Sequence, residues 1–110
     1  MTAITWVLAA DDNRARIFET RGLKVELQQV EDIRNAAADK SEKNRQRFAQ
    51  AIAAFLEQSR LHHRFDRLRL AVDPTFLGAL RECLSSETRE LVYEAPSNDD
   101  RSAQRYVQRP

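Results

Sequence analysis

"WVLAADDNRARIFE", Trp6 to Glu19, is the stretch whose reading decides the fold. An apolar run with aromatic and β-branched members stops at two aspartates and an asparagine, and a second run starts at once. The first run, taken back to Ile4, is apolar on both faces, as in a strand inside a sheet. In the second, Arg14 to Thr20, Ala15 and Ile17 share one face with Glu19 in phase, while Arg16 and Phe18 take the other. Asp11, Asp12 and Asn13 tolerate turn conformations and bond to nearby backbone, so the segment reads as a hairpin. The same aspartates also admit a reading as paired carboxylates.

Arg21-Gly22 supplies another turn, and Leu23 to Val30 then alternates, with Leu23, Val25 and Leu27 on one face. This predicts a third strand and a meander. Residues 31–44 are polar without an apolar period and read as a linker or a frayed helix start. From Ser41 to Leu61 the period changes: Phe48, Ile52, Phe55, Leu56 and Ser59 recur at helical spacing. Asp39 or Ser41 is the expected N-cap, and the helix should end near His62-His63-Arg64. Arg67 to Val72 is a strand with Leu68, Leu70 and Val72 on one side. Asp73 then caps a helix that opens with Pro74 and buries Phe76, Leu77, Leu80 and Leu84. Glu90 to Glu94 reads as a final strand ended by Pro96. This gives one domain over residues 1–96 and a polar tail over 97–110.

The predicted order is β-β-β-α-β-α-β. The strands at 4–10 and 67–72 are the most apolar, so they should be central, parallel neighbours in a mixed sheet with helices packed on it. A chain of 110 residues supports one core. Its formal charge of +1 creates no global field, but fifteen arginines stand against three lysines. Arginine offers a planar fork that grips carboxylate or phosphate at two points. The single cysteine, Cys83, excludes an internal disulfide or a multi-cysteine zinc site. No basic segment precedes Ile4 and no stretch is long enough to span a bilayer, so a cytoplasmic protein without membrane insertion is expected. A homo-oligomer stays open.

Three stretches together resemble the bacterial family of proteins required for attachment to host cells. They are "TWVLAADDNRARIFE" (Thr5–Glu19), "RFAQAIAAFL" (Arg47–Leu56) and "RFDRLRLAVDPTFLGALRE" (Arg64–Glu82), about half the chain. That family is similar to translational machinery components and to the middle domain of archaeal and eukaryotic class-one release factors. The resemblance implies a ribonuclease-H-like five-stranded sheet of order 3-2-1-4-5 with strand 2 antiparallel. It also implies the ribosome, its RNA or a translation factor as partner. The Gly-Gly-Gln tripeptide that release factors carry is absent, so peptide release is not implied.

The candidate sites follow. Asp11 and Asp73 should both emerge at the C-terminal ends of parallel neighbours, where two carboxylates could hold a divalent metal for phosphodiester hydrolysis. The competing reading gives Asp11 to the turn and Asp73 to the helix cap, and we favour it. Adjacent His62 and His63 cannot chelate as an i, i+4 pair, and His63 suits a C-terminal cap. Trp6 and Cys83 read as core. The nucleic-acid candidates are Arg14 and Arg16, Arg67 and Arg69 with Arg64 close by, and Arg101, Arg105 and Arg109 in the tail. No cofactor and no bound metal are expected. The expected function is non-catalytic, translation-associated binding. The alternatives are a protein adaptor that adds a partner strand along Leu23–Val30, and a metal-dependent nuclease built on Asp11 and Asp73.

Overall fold

The computed structural model describes residues 3–22, 26–37 and 41–93. β1 (Ile4–Ala10), β2 (Arg14–Arg21) and β3 (Gln28–Arg34) form an antiparallel meander. α1 (Glu42–Leu61) crosses to β4 (Arg67–Val72), which lies parallel to β1; α2 (Pro74–Cys83) and α3 (Ser86–Leu91) follow. The sheet is mixed and ordered β3-β2-β1-β4.

The apolar run made β1 the central strand: every residue from Thr5 to Ala10 is buried. Its alternate side chains Trp6, Leu8 and Ala10 join Ala15 and Ile17 of β2 and Leu68 of β4 beneath the helices. α1 contributes Phe48, Ile52 and Leu56, and α2 contributes Phe76 and Leu80. Trp6 is fully buried and stacks on Phe65 at 4.8 Å between centroids. Its indole N–H donates to Glu19 Oε1 (3.0 Å), which satisfies the one polar atom of the ring. Burial opposes the charge of Glu19, but that bond and Arg21 hold its carboxyl below the usual range.

The caps follow the expected chemistry. Ser41 Oγ accepts the Asn44 N–H at the start of α1, and Asp73 Oδ1 accepts the Thr75 N–H at the start of α2, where Pro74 opens the helix. Asp39, the other cap candidate, lies outside the described residues. α1 ends in paired reverse bonds: the Arg64 N–H donates to the Ser59 carbonyl and the His63 N–H to the Arg60 carbonyl, both 2.9 Å. This closure needs a left-handed residue between them, and His63 supplies it at φ 56°. Glycine pays no Cβ penalty there, so His63→Gly should stabilise the fold by about 1 kcal/mol. A lowered urea midpoint for this variant would contradict that account.

Three expectations need correction. The third strand is not at 23–30: β3 runs from Gln28 to Arg34, through residues read as linker, and Leu23–Val25 lie outside the described residues. Val30 and Ile33 both pack against the core although they are three apart, a spacing no regular strand puts on one face. A register shift opposite Ile17/Phe18 adds the extra residue and hides the strand from an alternation test. Its far end is tied down by the Asn35 side chain, which donates to the Asp12 carbonyl (2.9 Å).

The strand expected at 90–94 is the second correction. Glu90 and Leu91 close α3, and Val92 makes a single parallel bridge to Leu68. Ser85 starts α3 early: its Oγ accepts the Thr88 N–H (3.1 Å) while its hydroxyl donates to Glu57 Oε1 (2.8 Å). Consequently β4 stands at the edge of the described four-strand sheet, not at its centre. The fifth place in the implied order is marked only by the Val92 bridge, and the 96/97 boundary and the tail lie outside the described residues.

Glu57 joins α1 to this cap. It accepts a two-point fork from Arg60 (3.1 and 2.8 Å) and the hydroxyls of Ser85 and Thr88. Arg60 first, then Ser85, lower its carboxyl from 4.5 to about 2 against the effect of burial. A depressed folded-state value means that the contribution is complete above pH 4.5 and is lost as pH falls toward 2. The urea midpoint should therefore drop across that window, and Glu57→Gln should flatten the drop. An unchanged acid limb in that variant would remove Glu57 from the explanation.

Candidate functional site

All three helices draw on one face of the sheet, and the strand registers fix what the other face carries. Taken row by row across β4, β1, β2 and β3, that second face reads Arg67–Thr5–Thr20, then Arg69–Val7–Phe18–Gln29, then Ala71–Ala9–Arg16–Asp32. Beyond the end of β1 a last row pairs Arg14 with Arg34. These rows bring together five arginines and one carboxylate. The four strand arginines singled out from sequence, Arg14, Arg16, Arg67 and Arg69, thus share a face, because β2 and β4 flank β1 with matched parity. Arg34 was missed: it sits in the segment read as linker, and only the pairing with β2 reveals its side.

The arginines are held differently. Arg14 forks onto Asp32 (2.8 and 2.7 Å), a diagonal neighbour that offsets the like charges of Arg14 and Arg34 directly opposite each other. The same fork holds the Asp32 carboxyl below its usual range and raises the guanidinium of Arg14. Arg16 lies 5.8 Å from the Phe18 ring centre and Arg67 5.6 Å from that of Tyr93. Arg69 keeps its Nε and Nη2 withdrawn from solvent, whereas Arg34 and Arg67 are exposed. Arg64 belongs elsewhere: it covers the Trp6 ring at 5.2 Å and completes the core aromatic stack. Arg101, Arg105 and Arg109 lie outside the described residues.

The aspartates are placed as a turn and a cap. Asp11 Oδ1 accepts the N–H groups of Asn13 (2.8 Å) and Arg14 (3.0 Å), and the Asp11 N–H donates to the Arg14 carbonyl. Asp12 forks onto Arg45 of α1 at 3.1 Å through both oxygens, tying the hairpin to the helix. Asp73 Oδ1 is shared between the backbone N–H and the hydroxyl of Thr75. Asp11 and Asp73 do stand at the ends of parallel neighbours, as anticipated. Among the described residues no group of three or more His, Cys, Asp or Glu is assembled to hold a metal. Cys83 is half-buried against the core, and burial pushes its thiol up, away from the reactive thiolate.

Fold and site together define a small layered α/β domain with an arginine-bearing sheet face. The chain belongs to the family described as "Protein required for attachment to host cells", whose model matches residues 35–99, more than half of it. That range holds the second and third resembling stretches and begins just past β3. No curated protein matches the chain. No helix among the described residues is long and apolar enough to cross a membrane.

Proposed function

We propose that this protein is a non-catalytic, translation-associated binding protein that contacts ribosomal RNA through the arginine face of its sheet. The observation that carries the reading is the gathering of Arg14, Arg16, Arg34, Arg67 and Arg69 in strand rows that hold, among the described residues, one carboxylate, Asp32, in a chain of almost no net charge. A local cationic surface on a neutral protein is suited to a polyanion and not to general charge attraction. Guanidinium forks match phosphate geometry, and Phe18 and Tyr93 place apolar rings among them. The sequence resemblance implies kinship with translational machinery components and with the middle domain of release factors, and that implication favours the ribosome as the source of the RNA. The family description names a cellular outcome and no ligand; the arginine face supplies a chemistry for one.

The test is filter binding of the purified protein to ribosomal RNA between about 50 and 200 mM salt. Affinity should fall steeply and linearly on a log–log plot. Binding that ignores salt, or no binding at the lowest salt, would remove RNA from the account.

A further inference from the structure

We infer that the outer face of α1 and α2 is the interface of a two-fold homodimer, in which Arg47 of each copy enters a groove on the other and pairs with its Glu82. This surface lies on the helical side of the sheet, opposite the arginine face, and does not depend on the RNA reading.

The groove, of about 450 Å³, opens between the two helices. Gln50, Ala53, Ala54 and Glu57 of α1 line it, with Glu82 and Cys83 of α2. The alanines leave an apolar floor, and the charged groups that line it are both carboxylates. Glu57 is already matched by Arg60 and by the hydroxyls of Ser85 and Thr88. Glu82 is exposed and makes no ion pair among the described residues. Such a groove suits a long cationic side chain, whose apolar stem packs on the floor while its head meets the carboxylate.

The same face supplies that cation. Arg47 is exposed and also makes no ion pair among the described residues. It stands two helical turns before Ala54 on one stripe of α1, about 10 Å away along the axis. Phe48 packs on Phe76 at one end of the helix contact, and Glu57 accepts from Ser85 at the other. α2 therefore runs parallel to α1, with Glu82 level with Ala54. A two-fold axis midway between the levels of Arg47 and Ala54 lays α1 antiparallel on α1 of a second copy. It carries each Arg47 to the other copy's Ala54 and Glu82. A face that holds both members of the pair in this way is its own complement, as an isologous interface requires.

Gly78 supports the same axis independently. It is exposed in the middle of α2, one turn before Glu82, and so stands at the level of the axis. Glycine weakens a helix interior relative to alanine, yet an added Cβ here meets nothing within 4 Å inside the chain. Two copies of α2 that approach across the axis do need the missing side chain.

The experiment is sedimentation equilibrium of the full chain, without RNA. The parent should be a dimer that dissociates in the micromolar range. Arg47→Glu sets carboxylates against each other in both grooves, and Glu82→Arg does the same with guanidinium groups. Each single variant should weaken the dimer at least tenfold, and the double variant Arg47→Glu/Glu82→Arg should recover most of that loss. Gly78→Leu, which a single copy accommodates, should also weaken it at least tenfold, with its helical circular dichroism intact. A parent that stays monomeric at millimolar concentration would overturn the inference, as would a dimer indifferent to the single reversals. A double variant no tighter than the singles, or a Gly78→Leu chain that dimerises as the parent does, would overturn it too.

Discussion

Replacing Arg16, Arg34 and Arg67 together with alanine should weaken binding to ribosomal RNA by roughly a hundredfold at about 100 mM salt, with the fold intact. Each phosphate contact removed takes about one unit from the slope of log affinity against log salt, so the triple variant should lose about two to three. Arg69 stays in place because Nε and Nη2 of its side chain are withdrawn from solvent, and removing it would disturb the sheet as well as the contact. Arg14 stays because it neutralises Asp32. The corresponding lysine triple separates two sources of affinity: charge alone should restore the slope, while loss of the two-point fork should leave part of the affinity missing. A triple alanine variant with unchanged slope and affinity would mean that the arginine face is not where RNA binds.

The largest effect on stability should come from Trp6→Ala, a loss of about 3–5 kcal/mol. The ring is fully buried, and its removal leaves a cavity between Phe55 and Phe65 at the centre of the sheet's helical face. Two dependants go with it. The Glu19 carboxylate loses its indole donor and the Arg64 guanidinium loses the ring it covers. A small domain has only about 5–15 kcal/mol in hand, so this variant should populate unfolded chain at modest urea. Trp6→Phe keeps the stack and drops the hydrogen bond, and should cost about half as much or less. If Trp6→Ala unfolds at the same urea concentration as the parent, Trp6 does not hold the core together.

Much of the fold was legible because the strongest local signals are also the most buried ones. The doubly apolar run at Ile4–Ala10 read as an interior strand, and Asp73-Pro74 read as the opening of a helix that follows a strand. The hairpin was legible because Asp11 and Asn13 carry turn chemistry that needs no tertiary help. β3 escaped because a bulge breaks period two: Val30 and Ile33 face the same way only once an extra residue is inserted. α3 escaped because its local Ser85 cap was not read, and because that cap is held by Glu57 of α1, which accepts from Ser85 and Thr88 some thirty residues on. Local alternation in "ELVYE" favours a strand, and the tertiary bond overrides it.

The site divides the same way. Arg14, Arg16, Arg67 and Arg69 were visible as alternating residues on two strands. That they share one surface depends on parity across β1, which a single sequence does not contain. Arg34 joined them only with β3 in its true place. The carboxylates show the opposite case: their residue types fit both a metal pair and a turn with a cap, and backbone geometry placed Asp11 in the turn and Asp73 in the cap.

The central claim is contact with ribosomal RNA through the arginine face. Its most direct test is sucrose-gradient sedimentation of the native protein in lysate of its own cells, run beside the Arg16/Arg34/Arg67 triple alanine variant. The account predicts that the parent sediments with ribosomal particles, returns to the top after ribonuclease, and stays at the top without ribonuclease when the three arginines are removed. Parent protein that remains at the top of a low-salt gradient, or a variant that sediments as the parent does, would contradict it.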